Sequence, residues 1–245
     1  MAKQVIDNSS KITGSGKKLY PVSLDITGKR CLVIGGGTVA ARKIRALLLC
    51  GGVVQIVSPE VCGEIRSLAE ADKLKWLPRP YHSTDMIGVF LVFAATDDPE
   101  AQALIAHDAA MHHVLLNRAD NSELSDFHVP AKIRRGDLVI TISTGGGSPA
   151  LASLIKRRLA PDFGEEYATL VELMARLRPL VVNGPGDSDE NRVLFQAILE
   201  LPVLESIAAK DWHQLKALLG RIVPPSIDCE ALVDQLCCDL EQPSK

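Results

Sequence analysis

An excess of charge of either sign is missing from this sequence. Its 27 basic and 30 acidic residues nearly cancel. That argues against a nucleic-acid or anionic-membrane partner, each of which needs a basic patch. Long apolar runs are missing too. The longest, near Val89 to Ala95, is far short of a membrane span. The first eighteen residues, MAKQVIDNSSKITGSGKK, lack the apolar core of a signal peptide and read as a flexible polar tail. The six cysteines, at 31, 50, 62, 229, 237 and 238, hold no C-x-x-C pair matched by a second at zinc spacing. The histidines at 82, 107, 112, 113, 128 and 213 show no metal-ligand spacing. No metal site is expected, and a reduced, cytoplasmic protein is the simplest reading. Cys237 and Cys238, neighbours on an expected helix, read as packing residues.

What is present is an alternation of strands and helices from 30 to 116. RCLVIGGG is an apolar strand ending in glycines, and TVAARKIRALLLCGG is a helix with Val39, Ile44, Leu47 and Leu48 near one face. VVQIVSP, KLKWLPRP, VFLVFAAT and HVLLN are further strands, separated by the helices EVCGEIRSLAEA and DPEAQALIAHDAAMH. Asp98 caps the second of these helices, with Pro99 at its first position. This alternation predicts an α/β fold, a doubly wound parallel sheet. Residues 117–137 are polar and irregular in expectation; DLVITIST is one more strand, and Ser148 and Pro149 open another helix. From Phe163 onward only helical periodicity remains, with breaks at 182–189 and 223–226. Leu170, Leu173, Met174 and Leu177 form the clearest stripe. The expected organisation is a tail (1–18), a dinucleotide-binding domain (19–116), a dimerisation and active-site segment (117–160) and a helical domain (161–245).

The chemistry begins at Gly35-Gly36-Gly37-Thr38-Val39-Ala40, which fits G-x-G-x-x-A between a strand and a helix. Gly35 permits the tight turn, Gly37 lets backbone approach a pyrophosphate, and Ala40 lets the helix lie close to the strand. The helix N-terminus faces the negative charge. The acid that usually meets the adenine ribose is missing: the second strand ends in Ser58, with Glu60 beyond Pro59. No arginine stands beside Ser58, which favours NAD over NADP. Thr96 and Asp97 end the fourth strand, where ligands bind in open α/β sheets, and are candidates for the nicotinamide half. Gly35, Gly37, Thr38, Val39, Ser58, Thr96 and Asp97 are thus the candidate cofactor residues.

YPVSLDITGKRCLVIGGGTVAARK, FAATDD, NRAD and SDFHVPAKIRRGDLVITISTGGGSPALA together resemble the precorrin-2 dehydrogenase/sirohydrochlorin ferrochelatase family, from about Tyr20 to Leu159. The resemblance implies that NAD accepts a hydride from precorrin-2 to give sirohydrochlorin. Some members of that family then insert ferrous iron, and the resemblance leaves that step open. It implies a homodimer built by the segment after the nucleotide domain. It also implies that Asp120, in Asn117-Arg118-Ala119-Asp120, is the general base, because ring oxidation loses a proton as well as a hydride. Asn117, Ser143, Thr144, Gly145 and Gly146 become candidates for the carboxylate-rich tetrapyrrole, the glycines offering backbone N–H groups at a helix start.

Two other readings stay open at this point. A non-catalytic NAD-sensing module shares a glycine loop and an A-T-D-D-like segment; it predicts an acid after the second strand and does not explain STGGGSP. A ferrochelatase with a vestigial cofactor loop is the other, and the intact G-x-G-x-x-A argues against it.

Overall fold

A computed structural model describes residues 18–119, 122–184 and 186–241. Most of the expected tail, and Asp120, lie outside the described residues. Two compact units result: one runs up to Val129 and takes in Gly145–Ser148, and the other comprises Pro130–Thr144 and everything from Pro149 on.

The first unit is a five-stranded parallel sheet: β1 (Arg30–Ile34), β2 (Val53–Val57), β3 (Lys75–Leu77), β4 (Leu91–Ala94) and β5 (Leu115–Arg118). Their order is β3-β2-β1-β4-β5. The chain winds outward through β2 and β3, then returns to the other side of β1 for β4. That places a topological switch point between β1 and β4. Helices α1 (Thr38–Leu49), α2 (Gly63–Glu70) and α3 (Pro99–His112) make the crossovers. Side chains alternate through the sheet, so β1 feeds two cores. Cys31 and Val33 join Phe93, Ile44 of α1 and Ile65 of α2 on one face. Leu32 and Ile34 join Val92, Ala94 and Ile105 of α3 on the other. With helices on both faces, β1 and β4 are apolar almost throughout, as the sequence led us to expect.

The start of α3 is as expected. The Asp98 carboxylate accepts from the backbone N–H of Glu100 (2.9 Å) and Ala101 (3.3 Å), and Pro99 stands at the first turn. The apolar face of α1 differs from expectation. Its buried residues are Ala40, Ala41, Ile44 and Leu47, whereas Val39 is 40% exposed. The helix lies on the sheet through its alanines, whose small side chains allow the close approach, and this turns Val39 outward.

In the second unit the expected irregular stretch contains a strand. β6 (Ala131–Arg135) pairs antiparallel with β7 (Leu138–Ile142), Ile133 opposite Ile140. AKIRR carries four polar or small residues around one isoleucine, so only the partner strand reveals it as β. Helix α4 (Pro149–Leu159) follows, then α5 (Glu166–Val182), α6 (Ser188–Glu200), α7 (Val203–Ala208), α8 (Trp212–Ile222) and α9 (Cys229–Glu241). Leu173, Leu177, Ile198, Leu215, Leu219, Val233 and Leu236 form a core shared by α5, α6, α8 and α9, with Val203 and Ile207 of α7. Cys237 packs partly against it, but Cys238 is exposed and is not a packing residue. Successive helical residues point about 100° apart, so both could not face one core.

Candidate active site

The glycine loop sits at the switch point, and each glycine there answers a different demand. Gly35 has φ +111°, and its N–H donates to the Val57 carbonyl at 3.1 Å. A Cβ at Gly35 would lie 2.1 Å from the Ala95 carbonyl oxygen. The loop therefore crosses the ends of β2 and β4 in van der Waals contact, in a conformation that side chains disfavour. Gly36 is closed in as well: its carbonyl accepts from Cys62 N–H at 2.8 Å, and a Cβ there would lie 1.9 Å from the Glu60 carbonyl oxygen. Gly37 is the contrast. It is exposed, and a Cβ there would meet nothing within 4 Å.

Gly37 is the N-cap of α1, which has no side-chain cap and no acid in its first turn. The first N–H groups of a helix have no partner inside it. Here those of Thr38 and Val39 stand at an exposed helix start, with open space before Gly37. That donor set, with the positive end of the helix dipole, suits a phosphate group approaching backbone. The residues present therefore fit a dinucleotide.

Ser58, at the end of β2, is buried and committed. Its hydroxyl donates to the Glu60 carbonyl at 2.6 Å, and its own carbonyl accepts from Trp76 Nε1 at 2.9 Å. Only oxygen lone pairs remain for a ribose hydroxyl. Thr96 is half-buried beyond β4, its carbonyl accepting from the Gln102 amide at 2.8 Å and its Oγ1 from Asp98 N–H at 3.3 Å. Asp97 is exposed beside it. Gln102, itself 2% exposed, also reaches the Ala94 carbonyl at 3.5 Å, and so fixes the turn that carries Thr96 and Asp97. Its signal in the sequence is weak: Gln102 is one of two polar residues, with Asp108, on the buried face of α3.

Asn117 stands on β5 beside Phe93 of β4 and is 7% exposed. Its Nδ2 donates to the Phe127 carbonyl at 2.8 Å, and its Oδ1 accepts from Lys43 Nζ at 3.4 Å. Nothing in the local sequence marks Lys43. Burial pushes its ammonium below the usual lysine range, and the neighbouring Arg42 adds to the shift. The structure thus brings Gly35, Gly37, Thr38, Val39, Ser58, Thr96, Asp97 and Asn117 to the carboxyl edge of one sheet. In the second unit, Ser143 and Thr144 follow β7. Gly145 and Gly146 come next, with φ +62° and +90°. Among the described residues no group of three or more His, Cys, Asp or Glu could hold a metal ion.

Residues 22–131 match a family described as NAD(P)-binding, and residues 135–160 one described as the central part of a sirohaem biosynthesis protein. The chain is similar to siroheme-biosynthesis proteins in both segments. Among its relatives are siroheme synthases from Chromobacterium violaceum and Pseudomonas putida. The first is 35% identical over 79% of this chain and 41% of that protein. The second is 36% identical over 83% of this chain and 44% of that protein. The chain therefore spans less than half the length of either. A solved structure, SirC, precorrin-2 dehydrogenase, matches with a TM-score of 0.69 at 28% identity, over 83% of this chain and 98% of that one. No helix among the described residues is long and apolar enough to cross a membrane.

Proposed function

We propose that this chain oxidises precorrin-2 to sirohydrochlorin with NAD. The observation that carries the reading is the open start of α1 at the sheet's switch point, with the space in front of Gly37. The likeness to SirC across nearly all of that protein supports it. When bound, NAD supplies the hydride acceptor. Gly37 and the N–H groups of Thr38 and Val39 hold its pyrophosphate, and Gly35 shapes the turn beneath. Ser58 offers lone pairs to the ribose, and Thr96 and Asp97 border the nicotinamide half. Oxidation of the ring also releases a proton, and Asp120 accepts it. Asn117, Ser143, Thr144, Gly145 and Gly146 bind the tetrapyrrole, the glycine loop through backbone N–H groups. A homodimer, ferrous iron as the substrate of a following insertion step, and a cytoplasmic location belong to the same proposal. The six free cysteines support a reducing compartment.

The test is anaerobic. Purified protein receives precorrin-2 and NAD while the absorption spectrum is followed, and ferrous iron is added afterwards. NAD-dependent formation of sirohydrochlorin is expected. Iron uptake faster than a protein-free control adds the insertion step. NAD binding without oxidation would turn the reading to a nucleotide-sensing module. Asp120→Ala should keep NAD affinity and lose oxidation by roughly a hundredfold or more, the range for a general base. Full activity in that variant removes Asp120 from the mechanism.

A further inference from the structure

Lys43 is an unusual residue to find on the inner side of α1. Its ammonium lies 4.8 Å from the centre of the Phe93 ring and 3.4 Å from Asn117 Oδ1, and it has no carboxylate within ion-pair distance among the described residues. Taking an ammonium half out of water without a counter-charge costs free energy. A methionine would cover Phe93 as well without that cost. Packing therefore does not explain the charge; the face of the Phe93 ring and the Asn117 amide oxygen, both of which attract an ammonium, do.

Asn117 belongs to a staple. Leu116 N–H donates to Asp126 Oδ2 at 2.9 Å, Asp126 N–H donates back to the Leu116 carbonyl at 2.8 Å, and Arg118 N–H donates to Ser125 Oγ at 2.9 Å. Asn117 Nδ2 adds the bond to Phe127, whose ring packs edge-on against Phe93 at 5.4 Å. The end of β5 and residues 125–127 are thus tied together at both sides of the segment between them. The β5–β4 ladder and the Phe127 ring already hold the staple to the sheet; Lys43 adds a side-chain link from Asn117 to α1, the helix that the loop opens.

We propose that Lys43 is a positioning residue for the dehydrogenation, holding Asn117 and with it the start of the 117–120 segment in register with helix α1. The inference rests on the function proposed above, because that segment carries the acid assigned as base. Lys43 touches neither cofactor nor substrate in this account. It ties Asn117, at the start of the segment assigned to take the proton, to the helix whose start is assigned to NAD.

The experiment compares Lys43→Met, Lys43→Arg, Asn117→Ala and the Lys43→Met/Asn117→Ala double variant with the unaltered full chain. Lys43→Met should bind NAD about as tightly as the parent, and kcat for precorrin-2 oxidation should fall roughly tenfold or more, with a smaller rise in KM through Asn117, since misplacing a reacting group costs kcat. Lys43→Arg, which keeps charge and donors, should recover most of the loss. The double variant should lose little more than the worse single one, as residues acting through one contact are not additive. Unchanged kcat in Lys43→Met, or losses that add, would overturn the proposal. If the unaltered chain does not oxidise precorrin-2, the functional reading fails instead. Amide hydrogen exchange then decides: faster exchange at 116–118 and 125–127 in Lys43→Met, with α1 unchanged, keeps Lys43 as the tie, and identical exchange removes it.

Discussion

At the scale of single residues, the three glycines of the loop separate folding from binding. Gly35→Ala places a Cβ 2.1 Å from the Ala95 carbonyl at φ +111°, so backbone must move. A loss of about 1–3 kcal/mol is expected from that strain, read as a lower denaturation midpoint. Gly37→Ala meets nothing within 4 Å, and its φ of −82° suits any residue. It should leave the midpoint nearly unchanged and weaken NAD binding roughly tenfold or more by standing where the pyrophosphate approaches, measured by calorimetry. Equal NAD affinity in that variant would move the cofactor away from this loop. The motif was legible in sequence because glycines at fixed spacing report directly on backbone. The state of Ser58 was not legible. Whether its hydroxyl is available depends on where the Glu60 carbonyl folds, and that is set by the turn after β2.

At the scale of elements, the start of α3 was readable from Asp98 and Pro99 because capping is local chemistry. Asp98→Ala should cost about 1 kcal/mol, seen as a drop in the urea midpoint without a change in slope. The strand β6 was not readable, because its stability comes from cross-strand pairing with β7 and not from its own composition. The short 3-10 turn Ser83–Met86, between β3 and β4, is pinned by charge. Burial alone would raise the Asp85 carboxyl, but hydrogen bonds from Arg79 at 2.8 and 2.6 Å and from the His82 backbone hold it below the usual carboxylate range. A depressed carboxyl stabilises the fold above its ordinary value and loses that contribution as pH falls through the folded one. Stability of the first unit should therefore decline as pH drops below about 4, and Asp85→Asn should flatten that decline while lowering stability at neutral pH. A pH titration of the denaturation midpoint reads both; an unchanged acid slope in Asp85→Asn would remove the pair from the account.

At the scale of the whole molecule, each unit has its own core. Leu177, fully buried among Leu173, Ile198, Leu215 and Leu236, lies at the centre of the helical one. Leu177→Ala should destabilise that core by about 2–5 kcal/mol, measured by chemical denaturation, because the cavity closes only in part. By itself the sequence determined the α/β class, the cofactor loop, the cap of α3 and the helical character of the C-terminal part. Each of these is written in local periodicity or in residue types that constrain their own backbone. The tertiary structure alone decided the rest. It placed β4 beside β1 to make the switch point, turned Val39 outward, closed Ser58 onto Glu60, and joined Lys43 to Asn117 across 74 positions of chain. Such pairings depend on which distant surfaces meet, and no local pattern encodes that meeting.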